Sequence, residues 1–214
     1  MNKFTTIFLS LFFFASSICF GQLTAGFFTG LNFAKLSGDI PESAEYQNKI
    51  GINIGAIFDI NFSNTTILSI QPSYSQEGTR FFYSKPNLDE PIDSFSLGLD
   101  YFSVPVIFKI LTTKKRFYGI AGIETGYFLG SSLIIKDVES ELDVAIAQWN
   151  IALHFGVGIR MPVGKPRLCL ELRYTQGLLN LTDQAISNSL IPRVKTSGVK
   201  LLLGIEFPLT SSNN

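Results

Sequence analysis

The stretch at residues 49–62, KIGINIGAIFDINF, decides the fold. Every second residue from Ile50 to Phe62 is apolar, and the residues between them are small or polar except Ile57. A period of two over this length predicts a strand with one apolar and one polar face. The run is longer than the usual soluble strand of about 5–6 residues. It is long enough for a tilted strand that crosses a membrane, which needs about 9–11 residues.

Similar stretches recur along the chain and predict an all-β fold. Long polar connections at 36–48, 79–96, 131–147 and 181–196 alternate with short turns. An even strand number, this alternation and one apolar face per strand indicate an eight-stranded antiparallel up-and-down transmembrane β-barrel of the OmpA and OmpX type. The predicted strands, numbered one to eight, cover residues 24–35, 49–62, 65–78, 97–111, 116–130, 149–161, 167–180 and 197–209.

The alternative is a soluble lipocalin-like ligand carrier, which would turn the apolar face inward. The apolar face is bulky and nearly free of charge, whereas the polar face is rich in glycine and small residues. A charge facing lipid at mid-membrane would cost about 2–4 kcal/mol. The composition of the two faces therefore favours lipid outside and a crowded polar lumen inside.

The N-terminus reads as a signal peptide at residues 1–21, followed by a barrel domain at 22–214. A basic start that includes Lys3 precedes a mainly apolar segment, and small residues end it at Gly21, so we expect cleavage before Gln22. The mature chain would then keep one thiol, Cys169, and form no internal disulfide. The 17 basic and 17 acidic residues balance, which gives no indication of nucleic-acid binding.

The polar face of the predicted strands carries charges of both signs. We interpret them as a paired, hydrogen-bonded plug, since unpaired buried charge is costly; a narrow polar path or a proton-linked site is the functional alternative. Glu171 and Arg173 are expected to pair with neighbours across predicted strands six to eight. The predicted lumen cluster is Glu124, His154, Arg160, Glu171, Arg173, Lys200 and Glu206, and Lys49, Asp59, Glu77 and Lys109 share its face.

Catalytic machinery is not evident in the sequence. His154 is the single histidine, and we interpret it as a hydrogen-bonding residue of the lumen rather than a base. No nucleophile, base and carboxylate can be placed together at one barrel rim. The spacing of Cys and His does not suit zinc, and no phosphate-binding loop is present. The sequence therefore predicts no enzyme, no cofactor and no metal site, and it predicts Cys169 as a small buried residue.

Five predicted strands carry short motifs: Gly30-Leu31-Asn32, Gln71-Pro72, Tyr74-Ser75-Gln76-Glu77-Gly78, Tyr101-Phe102-Ser103-Val104-Pro105, residues 118–122, Arg173-Tyr174-Thr175 and Gly177-Leu178. In these motifs the chain resembles the PorT-type outer-membrane β-barrel proteins of Bacteroidetes. The chain carries Ser103 where an acidic residue is common in that family, so an interior charge is not implied at this position. The resemblance implies an outer-membrane barrel domain and no reaction.

These features predict a non-enzymatic outer-membrane barrel that is in contact with lipid and acts through long extracellular loops in an envelope or interaction role. A small channel or a transport- or secretion-associated barrel is the alternative among membrane proteins. The segment 79–96 carries Phe81, Phe82, Tyr83 and Phe95, which would bind a protein or glycan partner or form an aromatic girdle at the membrane edge. The expected state is a monomer.

Overall fold

The structure is a computed structural model that describes residues 22–38, 44–83, 92–135, 138–140, 146–181 and 194–209. None of the described residues belongs to a helix long and apolar enough to cross a membrane. The strands are β1 (Gln22–Gly38), β2 (Ala44–Asn61), β3 (Thr66–Ile70), β4 (Ser73–Tyr83), β5 (Ile92–Leu111), β6 (Phe117–Ile135), β7 (Val138–Ser140), β8 (Trp149–Pro162), β9 (Arg167–Gly177) and β10 (Val194–Pro208).

The strands close into an antiparallel ring with eight places, as predicted. Each strand of the ring pairs with its neighbour in the chain, and β1 closes the ring by pairing with β10. β3 and β4 follow one another in a single place between β2 and β5. The short β7 pairs with the far end of β6. The predicted third strand is therefore two elements, and β7 is an addition.

The break between β3 and β4 falls at Gln71-Pro72. Proline has no N–H to donate to a strand ladder, so it interrupts regular pairing. The wall nevertheless continues, because the Pro72 carbonyl accepts from the Ala56 N–H at 3.0 Å. On the other side the Gln71 N–H donates to the Pro105 carbonyl at 3.0 Å.

The two faces of the wall are oriented as the composition predicted. On β2, Ile50 and Ile54 are 60% and 54% exposed, whereas Asn53 and Asp59 are 3% and 1% exposed. Ile57, the apolar exception on the polar face, is buried inside the ring. A shift of one residue in the register of a strand would move each of its side chains to the opposite face of the wall. Apolar residues outside and charges inside exclude the soluble lipocalin-like carrier.

Several strands run further into the predicted long loops than the sequence indicated. β2 begins at Ala44, β5 begins at Ile92 and β6 ends at Ile135. Phe81 and Phe95 therefore pair on adjacent strands and do not lie in a loop. Backbone pairing holds these extensions, so their polar composition does not mark the end of the strand. The prediction of a loop over residues 79–96 was therefore wrong at both ends, where β4 reaches Tyr83 and β5 begins at Ile92.

Short turns gather at one end of the barrel, at residues 62–65, 112–116 and 163–166. We call this end the turn side and the opposite end the long side. The first residue of β1, Gln22, and the last residue of β10, Pro208, also lie at the turn side. An apolar layer lies inside the ring near it, formed by Ile67, Ile107, Leu111, Tyr118 and Ile120. The predicted signal peptide lies outside the described residues.

Candidate functional site

The seven residues predicted to form the lumen cluster all lie inside the ring. Their exposed fractions range from 0% to 6%. Asp59, Glu77 and Lys109 are buried with them, and Lys49 is half-buried. An eight-stranded barrel has an interior just wide enough for side chains to fill. Charges from opposite walls can therefore reach one another.

Four residues near the turn side form the turn-side cluster: Asp59, Lys109, Arg160 and Glu206. The Lys109 ammonium lies 3.1 Å from Asp59 Oδ2 and 3.1 Å from Glu206 Oε1. Arg160 Nη2 lies 2.8 Å from Glu206 Oε2 and 3.4 Å from Asp59 Oδ2. These residues come from β2, β5, β8 and β10. Two cations and two carboxylates balance, and they tie together four strands of the ring.

Glu171 and Arg173 form an ion pair on β9, next to the turn-side cluster. The Tyr118 hydroxyl donates to Glu171 Oε1 at 2.7 Å, and Lys109 Nζ lies 3.7 Å from the same oxygen. Arg173 Nη2 donates to the Gln71 side-chain oxygen at 2.8 Å. The prediction that Glu171 and Arg173 pair across predicted strands six to eight was wrong, because they pair with each other on one strand. The other partners reach across the lumen from β5, β6 and the β3–β4 break.

A third group, the histidine cluster, contains Glu77, Glu124, His154 and Lys200. Lys200 Nζ lies 3.3 Å from Glu124 Oε2 and 3.8 Å from Glu77 Oε1. His154 Nε2 lies 3.1 Å from Glu124 Oε2. With both carboxylates ionised, the charges of this cluster cancel only when the imidazole is protonated.

His154 also contacts Thr175, whose Oγ1 lies 3.4 Å from His154 Nδ1. The imidazole thus lies between a hydroxyl and a carboxylate, and these are the residue types of a hydrolytic triad. Thr175, His154 and Glu124 are 3%, 0% and 2% exposed, so a substrate has no access to the hydroxyl. Lys200 also occupies the same Glu124 oxygen. The arrangement is therefore a set of buried structural contacts and not a catalytic site.

Neutral side chains complete these networks, and the charge pattern did not single them out. Gln71 donates to Ser69 Oγ at 2.7 Å while it accepts from Arg173. Tyr118 packs beside Gly158, where an added Cβ would collide with the Tyr118 ring. These residues share the inward parity of the charged ones, which is the signal that would have found them. Cys169 is a free buried thiol. Among the residues that the structure describes, no group of His, Cys, Asp and Glu is arranged to hold a metal ion.

A family comparison identifies the fold from the sequence independently. The family described as "Outer membrane protein beta-barrel domain" matches residues 14–183, well over half of the chain. The chain belongs to this family. It is therefore an integral outer-membrane protein, and the exposed apolar side chains of its wall face lipid. This match does not distinguish PorT-type proteins from other members of the family.

Solved outer-membrane proteins resemble the chain at low identity. Ail, the attachment invasion locus protein of Yersinia pestis, is 15% identical, with 87% of this chain and 99% of that chain covered and a TM-score of 0.44. Neisserial surface protein A is 14% identical, with 87% and 97% covered and a TM-score of 0.46. OprG from Pseudomonas aeruginosa is 12% identical, with 87% and 95% covered and a TM-score of 0.43. No curated protein matches the chain. The family membership rests on the sequence match.

Proposed function

We propose that this protein is a non-enzymatic envelope barrel with a closed lumen, and that it acts by binding a protein or glycan partner at its long side. The observation that carries the proposal is the packed ion network inside the ring. Ten charged or titratable side chains there are at most 6% exposed: Asp59, Glu77, Lys109, Glu124, His154, Arg160, Glu171, Arg173, Lys200 and Glu206.

A lumen filled in this way is suited to stability rather than to transport. Each buried charge has an opposite charge within 4.0 Å. Opening a path through the lumen would separate these charges, which is costly in a poorly hydrated interior. Interaction surfaces then remain at the ends of the barrel. The long side offers the larger surface, because β5 and β6 extend the wall in that direction.

We further propose that the chain is a PorT-type member of the family from Bacteroidetes. Residues of three motifs that carry the resemblance are in contact. The Gln71 N–H donates to the Pro105 carbonyl, and the Gln71 side chain accepts from Arg173. The contacts join these motifs into one buried site, which supports reading them together. Ser103 is buried, and the interior charge of its strand comes from Lys109 instead.

We also propose that residues 1–21 are removed on export and that the mature barrel is a monomer. Gln22 begins β1, which is paired on both sides in the closed ring. Among the described strands, pairing of β1 with β10 closes the ring, so no strand of the ring needs a second copy as its partner. N-terminal sequencing of the outer-membrane form should begin at Gln22, and its mass in detergent should match one chain.

The test combines a conductance measurement with replacement of the segment between β4 and β5. The whole mature barrel should give no channel events in planar bilayers. Replacement of residues 84–91 by a short Gly-Ser linker should abolish cross-linking of the protein to envelope partners on intact cells. The linker variant should still shift in mobility between unheated and boiled gel samples, which shows that it forms a barrel. Channel events in the unaltered protein, or unchanged cross-linking in the variant, would contradict the proposal.

A further inference from the structure

The turn side of the barrel opens into a basic cavity. Its volume is about 260 Å³, and five of its eleven lining residues are cationic while none is acidic. We call it the basic mouth. The five cations are Lys114, Lys115, Arg116, Arg160 and Arg167. They come from the turn at 112–116 and from the facing ends of β8 and β9.

Arg160 lines the basic mouth and also belongs to the turn-side cluster. It is only 6% exposed, and its Nη2 binds Glu206 and Asp59. Its Nε, however, has no hydrogen-bond partner and is buried. The residue opposite it on β9 is Cys169, whose thiol is at best a weak acceptor. A buried guanidinium donor left unpaired beside a cavity is a feature that an anionic ligand would complete.

The remaining cations are not neutralised from within the cavity. Arg160 shares the turn-side cluster, but no Asp or Glu lines the basic mouth beside Lys114, Lys115, Arg116 and Arg167. The described turns at 62–65, 112–116 and 163–166 also contain no acidic residue. Among the residues that the structure describes, unbalanced positive charge therefore collects at the basic mouth, where it attracts anions.

Lys115 lines the basic mouth and has an unusual backbone conformation. Its φ is 55°, in the left-handed region that non-glycine residues rarely adopt. Its N–H donates to the Thr112 carbonyl at 2.8 Å, and its ammonium donates to Asn64 Oδ1 at 3.3 Å. The Asn64 contact joins two of the short turns. The rim of the basic mouth is thus fixed by specific contacts.

We propose that the basic mouth binds a phosphate group. Guanidinium groups present paired donors that match phosphate oxygens, and the lysine ammonium groups add positive charge at the rim. A volume of about 260 Å³ accommodates a phosphate ester of a small alcohol. Short turns of such barrels face the periplasm. The phosphate therefore belongs either to a phospholipid head group of the adjoining leaflet or to a soluble ester.

The experiment uses the mature barrel and a matched pair of variants. Arg167→Gln removes a charge that lines the mouth, whereas Lys165→Gln removes one from the neighbouring turn outside it. Binding of glycerol 3-phosphate is measured by calorimetry in a neutral detergent. Retention of phosphatidylglycerol against phosphatidylcholine is measured by native mass spectrometry. Heat-modifiable gel mobility confirms that both variants fold.

The expected result is at least a tenfold loss of binding in Arg167→Gln and an unchanged value in Lys165→Gln. Binding of glycerol 3-phosphate would identify a soluble ester as the source, and selective retention of phosphatidylglycerol alone would identify the lipid. The proposal fails if neither probe binds the unaltered barrel. It fails equally if the two variants lose binding to the same extent, because charge spread over the turns would then explain the attraction.

Discussion

The inner and outer faces of the barrel wall obey opposite rules, although they alternate residue by residue on the same strands. On β2, Ile54 faces lipid at 54% exposure, and its neighbour Asn53 is 3% exposed in the lumen. Outside, stability requires that charge be absent. Inside, charge is abundant, and stability requires that none of it be left without a partner. The comparison shows that burial alone does not determine polarity, because the lumen is more buried and far more polar than the wall.

The largest effect should follow removal of a single interior charge. Lys109→Met leaves Asp59 and Glu206 without the ammonium that lies 3.1 Å from each of them. Breaking a buried ion pair on one side costs about 3–5 kcal/mol. Unfolding by denaturant in lipid vesicles measures the loss in the free energy of unfolding.

Lys165→Met, which removes a turn lysine exposed to solvent, is the control and should change the free energy of unfolding little. A loss of similar size in both variants would mean that the interior charges are not specifically paired.

A somewhat smaller effect should follow insertion of a charge on the outer face. Ile54→Arg places a guanidinium toward lipid near the middle of β2 and should cost about 2–4 kcal/mol. Asn53→Ala, one residue away but inside, removes only a 3.5 Å hydrogen bond to Ser75 and should cost less. The fraction of protein assembled into outer membranes measures both.

Val163→Arg adds the same charge at an exposed position in a short turn and should assemble normally. Equal defects in Ile54→Arg and Asn53→Ala would mean that the two faces have been exchanged.

The smallest effect should come from the histidine cluster. His154→Gln keeps a polar side chain beside Glu124 and Thr175 but cannot become positively charged. We expect a loss of about 1.5–3 kcal/mol in the free energy of unfolding, the range for a hydrogen bond to a charged group. His154→Lys should recover part of it if charge balance is the reason. Full stability of His154→Gln would show that a neutral imidazole suffices.

The alternation of residue types could predict which face each residue occupies, but not its partner. The parity of residues 49–62 was enough to place Ile50, Ile54 and Asp59 correctly. The contact between Gln71 and Arg173 joins residues 102 positions apart and depends on how the closing strands are staggered. Parity carries no information on height along the barrel axis. The partners in the lumen therefore needed the closed ring.

The strand ends and the basic mouth were missed for a different reason. Polar residues beyond the lipid-facing band looked like loop, although the wall is held there by backbone pairing. The cations of the mouth are scattered from Lys114 to Arg167 and meet only because β5, β6, β8 and β9 lie side by side. The sequence signal was the absence of acidic residues in the short turns.

The most direct test of the two-faced wall is methyl NMR of the unaltered barrel in lipid nanodiscs with labelled isoleucines. Ile52 and Ile54, at 49% and 54% exposure, should show cross-relaxation with lipid acyl chains. Ile57 and Ile107, at 3% and 0%, should show none, although they are equally apolar. Lipid contacts at Ile57 and Ile107 with none at Ile52 and Ile54 would contradict the account, because the apolar face would then line the interior.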